Sequence, residues 1–230
     1  MTGSPSKRTR RFAALAAAAA LVLSGCGSVH PGSAAVVGAR TIPDSRVDQV
    51  ALALCSANAS SGQTGQQTLP SRGARQGALS LLLRSTVSHA FGAAEHVHAN
   101  ASQLSQALAR NSATINALPP ARRAEFRSVV HDYAEGQLLV IAAGRQALAR
   151  LGQTKITESQ ALAAGEKLRT RYAAGLKVAV DPRYGTFRRG NLHSTSGSLS
   201  VPVSAQAVAG SSASPPATWV SSLPASQTCS

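Results

Sequence analysis

The sequence predicts a mainly α-helical domain over residues 34–188, with about five helices and a small two-stranded sheet that pairs its two ends. Apolar residues recur at steps of three or four in five stretches, which is typical of amphipathic helices. A short run of β-type residues lies at each end of the region. Two isolated short strands are unstable, so we expect them to pair. The region is also long enough to bury a core.

A strand and two helices are expected first. Residues 34–42 are typical of a short strand with a turn at its centre. Pro43 and Asp44 both suit the first turn of the helix that follows. Ser, Gly and Gln dominate residues 58–72, which indicates a loop. A longer helix is then predicted at about residues 73–98.

The third and fourth helices have recognisable boundaries. Asn100 or Ser102 can cap the third helix, because a short polar side chain can accept hydrogen bonds from the first turn. Residues 118–120 read Leu-Pro-Pro and should separate the two helices, since proline disfavours helical backbone in the residue before it. The fourth helix carries the most regular apolar pattern and should end at Gly152.

A fifth helix and a returning strand should complete the domain. Thr157 and Gln160 have the spacing of a capping box, in which each side chain bonds the other residue's backbone N–H. The helix should extend to about Ala174, and residues 176–180 predict the second strand. Residues 189–230 are rich in Ser, Ala, Pro and Thr with few charges, so the sequence predicts a disordered tail.

The start of the chain has the order of an export signal. Basic residues come first, an apolar run of about a dozen residues follows, and the run is too short to span a bilayer. Residues 23–26, Leu-Ser-Gly-Cys, resemble the lipobox of bacterial lipoproteins. The resemblance implies that residues 1–25 are removed, that Cys26 is acylated and that residues 26–33 form a tether at the outer face of the cell membrane. The alternative is an ordinary cleaved signal with an incidental cysteine.

Composition limits the classes of function. Residues 1–25 hold four basic and no acidic residues, so the net charge falls from +14 to +10 without them. Aromatic residues are only 3% of the chain, which leaves few stacking platforms for nucleic acid. Attraction to an anionic membrane or wall polymer is the simpler interpretation. Nine acidic residues and no nucleophile or phosphate-loop motif argue against an enzyme, and no cofactor is expected.

Two clusters of side chains leave alternatives open. Cys55 and Cys229 remain after Cys26 is assigned, and in an oxidising compartment they could form a disulfide that holds the C-terminal tail to the core. Alternatively, Cys55 is a small buried hydrophobic residue and Cys229 is a free thiol. His89 and His96 lie two helical turns apart, but we interpret them as solvated residues and predict no metal site.

Three segments together resemble the N-terminal chaperone domain shared by SurA and PrsA-type extracellular foldases. Residues 149–158 match the end of one helix and the start of the next, residues 36–43 match the family's first strand and helix entry, and residues 180–185 match the closing strand and turn. In that family a parvulin isomerase domain usually precedes the returning strand. Here Tyr172 is followed almost at once by Leu176, which leaves no room for one.

The resemblance therefore implies a chaperone-like lipoprotein without isomerase activity. It would bind unfolded or extended client polypeptides in an apolar groove between helices, with Val130, Tyr133, Val140 and Ile141 as candidate lining residues. The alternative is that these four residues are simply core. The competing function is a structural or adaptor lipoprotein that binds one cell-envelope partner or a wall polymer.

Overall fold

The computed structural model describes residues 31–60, 68–194, 201–212 and 214–229, and it is mainly helical with a small antiparallel sheet. Eight α-helices lie among these residues. The strands are β1 (Ser33–Val37), β2 (Arg40–Pro43), β3 (Val178–Val180), β4 (Thr186–Arg188) and β5 (Asn191–His193). The helices are α1 (Asp44–Ser60), α2 (Ser71–Ala94), α3 (Ala101–Arg110), α4 (Ser112–Ala117), α5 (Pro120–Arg150), α6 (Glu158–Gly175), α7 (Ala205–Ser211) and α8 (Ala217–Ser221), followed by a 3-10 turn at Ala225–Gln227.

The sheet joins the two ends of the helical domain, as the sequence predicts. β1 is central and pairs antiparallel with β3, with Ala35 opposite Val180 and Val37 opposite Val178. The sheet has three strands rather than the expected two, because β2 pairs with the other edge of β1. The reason is local: Gly38 has a φ of +58°, so the chain reverses there and residues 40–43 form a strand of their own.

The long helix α5 lies at the centre of the helical domain and contacts α1, α2, α3, α4 and α6. Its closest neighbour is α6, and the two backbones touch where two glycines face each other. A Cβ atom on Gly144 would lie 1.8 Å from the carbonyl oxygen of Ala161, and one on Gly165 would lie 2.0 Å from that of Val140. Only glycine therefore permits this helix crossing.

Buried apolar side chains form three clusters around α5. The largest cluster joins α1 and α2 to the sheet, and the second packs Phe126 against Ala53 of α1, Ile115 of α4 and Leu118. In the third, Phe91 of α2 stacks at a tilt on Tyr172 of α6 with ring centroids 5.7 Å apart. Aromatic pairs in this geometry add stability beyond the area that they bury.

The predicted helix boundaries hold where the local chemistry is strong. Thr157 and Gln160 form the capping box at the start of α6, and Asn100 caps α3 by accepting from the backbone N–H of Gln103. Gly152 has a φ of +82° just after α5. The expected third helix is instead two helices. Asn111 separates α3 from α4, and its side chain donates to the carbonyl of Ala107.

The predicted domain end at residue 188 and the disordered tail need correction. β4 and β5 form a hairpin that extends the folded part to His193. Beyond it, residues 201–212 and 214–229 contain α7, α8 and the 3-10 turn. We call residues 201–229 the C-terminal segment. It is ordered because a disulfide and several hydrogen bonds fix it to α1 and α2, which a composition-based prediction does not take into account.

Candidate functional site

The predicted lipid attachment lies outside the described residues. Cys26, the signal segment 1–25 and most of the tether 26–33 belong to the part of the chain for which no structure is described. In the residues that are described, no helix combines the length and apolarity needed to cross a membrane.

The two remaining cysteines are joined. Cys55 of α1 and Cys229 form a disulfide with a Cα–Cα distance of 5.3 Å. Next to it, the backbone N–H of Cys229 donates to the carbonyl of Leu69 at 2.7 Å, and Thr228 forms a β-bridge with Pro70. These ties hold the end of the chain against α1 and the start of α2.

The four candidate groove residues do not line a common groove. Val140 is completely buried beside Phe91, and Ile141 is only 8% exposed. Val130 packs on the separate cluster around Phe126, and the Tyr133 hydroxyl accepts from the side-chain amide of Gln137 at 3.4 Å. They diverge because α5 is covered on several sides, so its apolar residues serve different cores. The structure thus does not bring the four residues together, and for Val140 and Ile141 it agrees with the alternative that they are core residues.

The structure instead places a largely apolar cleft in the C-terminal segment. This C-terminal cleft has a volume of about 590 Å³, which is within the usual range of ligand pockets. Val201 and Val203 stand at its rim, 83% and 92% exposed, and Trp219 and Leu223 line its wall. Two strongly exposed valines beside an aromatic wall form a surface that water solvates poorly.

Short helices form the walls of the C-terminal cleft. Ser204 caps α7 by accepting from the backbone N–H of Ala207 at 3.1 Å. Gly210 at the end of α7 lets the indole approach, since a Cβ atom there would lie 2.5 Å from Cζ2 of Trp219. Arg72 donates to the carbonyls of Gly210 at 2.9 Å and Ser212 at 3.4 Å, which fixes α7 to α2.

Trp219 also carries an unsatisfied polar atom. Its Nε1 is buried and has no hydrogen-bond partner. Leaving a buried donor unpaired costs free energy, so such a group needs an explanation. Because this atom has no accessible surface, a carbonyl oxygen of a bound peptide would reach it only after the neighbouring side chains of the cleft wall move.

A charged seam lies where the turn after β3 meets the starts of α1 and α2. Arg183 donates to Asp181 and to Asp44, both at 2.8 Å, and the Tyr184 hydroxyl donates to Asp44 at 2.8 Å. The hydrogen bond from Arg183 holds the pKa of Asp181 below its usual value. Burial, followed by the bond to Asp44, raises the pKa of Tyr184 to about 12. These contacts join the start of α1 to the turn after β3 and offer no reactive group.

The histidines make ordinary polar contacts. His89 Nε2 lies 3.2 Å from the carbonyl oxygen of Asp132, and the carboxylate of Glu135 lies 3.8 Å from both His89 Nε2 and His131 Nδ1. His96 is exposed. No group of three or more His, Cys, Asp or Glu side chains suited to a metal ion occurs within the described residues.

Comparisons of this chain with protein families, with curated proteins and with solved structures found no match. The C-terminal cleft therefore rests on its own geometry. Sequence reasoning missed it because the segment was assigned to a disordered tail. Two signals were present: Trp219 is the only tryptophan of the chain, and Cys229 follows it closely. A large aromatic residue and a half-cystine are both uncommon in disordered segments.

Proposed function

We propose that the protein is a lipid-anchored, extracytoplasmic lipoprotein that binds extended apolar polypeptide segments without catalysing their isomerisation. The binding site is the C-terminal cleft, and Cys26 carries the lipid. The observation on which the proposal depends is an apolar cleft, rimmed by exposed valines, whose lining residue Trp219 has a buried and unpaired indole N–H. An extended peptide offers both a carbonyl oxygen, which can accept from the indole N–H, and apolar side chains, which can pack on the apolar rim.

The arrangement of the helical domain supports a chaperone-like role. The first strand pairs with the strand that follows the last core helix, and only two residues separate Gly175 of α6 from β3. This is the framework expected from the resemblance to the SurA and PrsA foldases, with no inserted isomerase domain. The proposed activity is therefore binding alone, and it depends on apolar contact rather than on an acid, a base or a nucleophile.

Fluorescence provides a direct test, because Trp219 is the only tryptophan. Titration of a tryptophan-free, Val- and Leu-rich peptide should shift the Trp219 emission and give saturable binding. In Trp219→Phe the ring volume is largely kept and the indole N–H is lost. Binding of a labelled peptide, followed by anisotropy, should weaken by up to roughly tenfold because one hydrogen bond contributes about 0.5–1.5 kcal/mol.

Tyr133→Phe is the matched control, since it removes the polar group of an aromatic residue on α5, away from the C-terminal cleft. Its affinity for the peptide should equal that of the natural chain. The proposal fails if the emission of Trp219 does not change at saturating peptide.

Photo-cross-linking in cells from residue 203 distinguishes the two functions. Many cross-linked products support a chaperone-like role, and one dominant product supports the adaptor function.

A further inference from the structure

Four exposed cationic side chains lie around the tip of the β4–β5 hairpin. Lys167 and Arg171 lie one helical turn apart on α6 and line the same shallow depression with Glu166 and Thr170. The backbone of Thr170 is in turn in contact with the hairpin tip, because a Cβ atom on Gly190 would lie 3.8 Å from its Cα. Arg188 and Arg189 belong to that tip and are exposed. We call Lys167, Arg171, Arg188 and Arg189 the cationic tip.

The hairpin turn has an unfavourable residue in it. Arg188 pairs with Asn191, so Arg189 and Gly190 form a two-residue loop, and both have positive φ values of +50° and +79°. Turns of this kind favour Asn, Asp or Gly at the first loop position. An arginine there is strained, and strained residues that persist are concentrated at functional sites. The geometry thus favours a role for the Arg189 side chain.

A buried arginine fixes the hairpin against α6. Arg169 is only 1% exposed, and its Nε and Nη2 donate to Glu166 at 3.0 and 2.8 Å. Its Nη1 donates to the carbonyl of Gly190 at 3.3 Å. Glu166 also accepts from Arg84 at 2.7 Å. The Glu166 carboxylate, which lines the same depression as Lys167 and Arg171, is therefore already shared by two guanidinium groups, so it does not neutralise the cationic tip.

The charge of the cationic tip is uncompensated. None of its four members forms an ion pair with any carboxylate of the described residues, which include all nine acidic residues of the chain. Residues 182–230 contain no acidic residue. Like charges at i, i+4 on a helix destabilise it slightly. Such a surface attracts a dense array of anions.

We infer that the cationic tip binds the phosphate headgroups of an anionic phospholipid membrane. The membrane is favoured over other polyanions because the inference builds on the lipid anchor of the proposed function. Six residues lie between Cys26 and Ser33 at the start of β1, and the seven Cα–Cα steps that join these two residues span at most about 25 Å. The folded domain would thus remain beside the headgroups, where basic side chains gain the most from the negative surface potential.

Vesicle sedimentation tests the inference with the processed chain, residues 26–230 carrying Cys26→Ser, which keeps every described residue and has no lipid. Vesicles of phosphatidylglycerol mixed with phosphatidylcholine should bind the protein, and vesicles of phosphatidylcholine alone should not. The variant Lys167→Gln, Arg171→Gln, Arg188→Gln, Arg189→Gln should bind at least about tenfold more weakly, because each basic residue near the surface contributes to binding.

The matched control removes the same charge elsewhere. The variant Arg110→Gln, Arg127→Gln, Arg145→Gln, Arg150→Gln changes four exposed residues of α3 and α5 and should stay within about twofold of the natural chain. Equal loss in both variants would mean that net charge alone drives binding, and it would overturn the inference. So would tighter binding to soluble poly(glycerol phosphate) than to the anionic vesicles.

A single substitution separates function from folding. Arg189→Asn places a preferred residue at the strained position, so the melting temperature should rise while vesicle binding falls. Unchanged vesicle binding in this variant would overturn the role of the Arg189 side chain. The assay contains no lipid anchor and no peptide, so failure here leaves both lipidation of Cys26 and binding in the C-terminal cleft to be judged by their own experiments.

Discussion

The helical domain and the C-terminal segment are held in place by different means. In the helical domain, continuous apolar clusters and backbone contact between α5 and α6 hold the elements together. The C-terminal segment contributes few buried residues, and its position depends on the Cys55–Cys229 disulfide, the bridge between Pro70 and Thr228, and the hydrogen bonds from Arg72. Apolar packing holds the helical domain together, whereas one disulfide, one β-bridge and a few hydrogen bonds hold the C-terminal segment in place.

This difference predicts how each region fails. A packed core responds to a change of volume anywhere within it, because interiors have the density of organic crystals. A tethered segment tolerates changes of volume and is released when a tie is cut. The C-terminal cleft should therefore be more sensitive to reduction than to core substitutions, and the helical domain should show the opposite behaviour.

The largest expected effect is at the α5–α6 crossing. Gly144→Ala would place a methyl group 1.8 Å from the carbonyl oxygen of Ala161, so the two helices must move apart. We expect the free energy of unfolding to fall by at least about 3 kcal/mol, measured by urea denaturation. Gly77→Ala on α2 is the control, since nothing lies within 4 Å of its new methyl group.

In that control the helix gains alanine's higher propensity, so the free energy of unfolding should rise by roughly 0.5–1 kcal/mol. If Gly144→Ala is tolerated as well as Gly77→Ala, then the helices do not cross in backbone contact, and the account of the core is wrong.

Cutting the covalent tie is expected to lower the free energy of unfolding by a similar amount but to leave the packing of the helical domain intact. Cys229→Ser should lower the free energy of unfolding by about 2–5 kcal/mol, because the unfolded chain is no longer cross-linked. It should also expose the C-terminal segment to limited proteolysis and abolish peptide binding, while far-ultraviolet circular dichroism still reports folded helices. Cys55→Ser should have the same effects, and the double variant should add nothing. Full peptide binding by Cys229→Ser would separate the C-terminal cleft from the disulfide.

The smallest effect concerns pH and belongs to the charged seam of the helical domain. The pKa of Tyr184 is raised to about 12. Its contribution to stability is therefore fully present below the unfolded tyrosine pKa of about 10 and is lost as the pH rises through about 12. Absorbance at 295 nm should resolve one tyrosine that ionises at about 12, and Tyr184→Phe should remove that step. Tyr133→Phe should leave it in place, and a step that persists in Tyr184→Phe would contradict the assignment.

Local signals in the sequence predicted local structure well. The capping box at Thr157 and Gln160 forms because both residues lie within one helical turn, so no distant contact is needed. The pairing of β1 with β3 was also predictable, since neither strand is stable by itself. The third strand β2 was missed. A turn inside a single β-type run does not show whether the residues after the turn fold back and pair with those before it.

The sequence left the surroundings of the four groove candidates open for a different reason. Periodicity places Val130 and Val140 on apolar stripes of α5, but it does not tell which neighbouring helix covers each stripe. Because α5 is contacted by five helices, these residues fall into separate clusters. The C-terminal cleft was missed because amino-acid composition does not show that the Cys55–Cys229 disulfide fixes the C-terminal segment to α1.

The sequence by itself determined the helical class, most helix boundaries and the meeting of the two ends, since these follow from periodicity, capping and the instability of lone strands. Only the tertiary structure decided where an apolar surface stays open, which cations remain unpaired and that Cys55 meets Cys229. Those features depend on distances between residues far apart in the chain, and backbone closeness such as that of Gly144 and Gly165 leaves no local signature in the sequence.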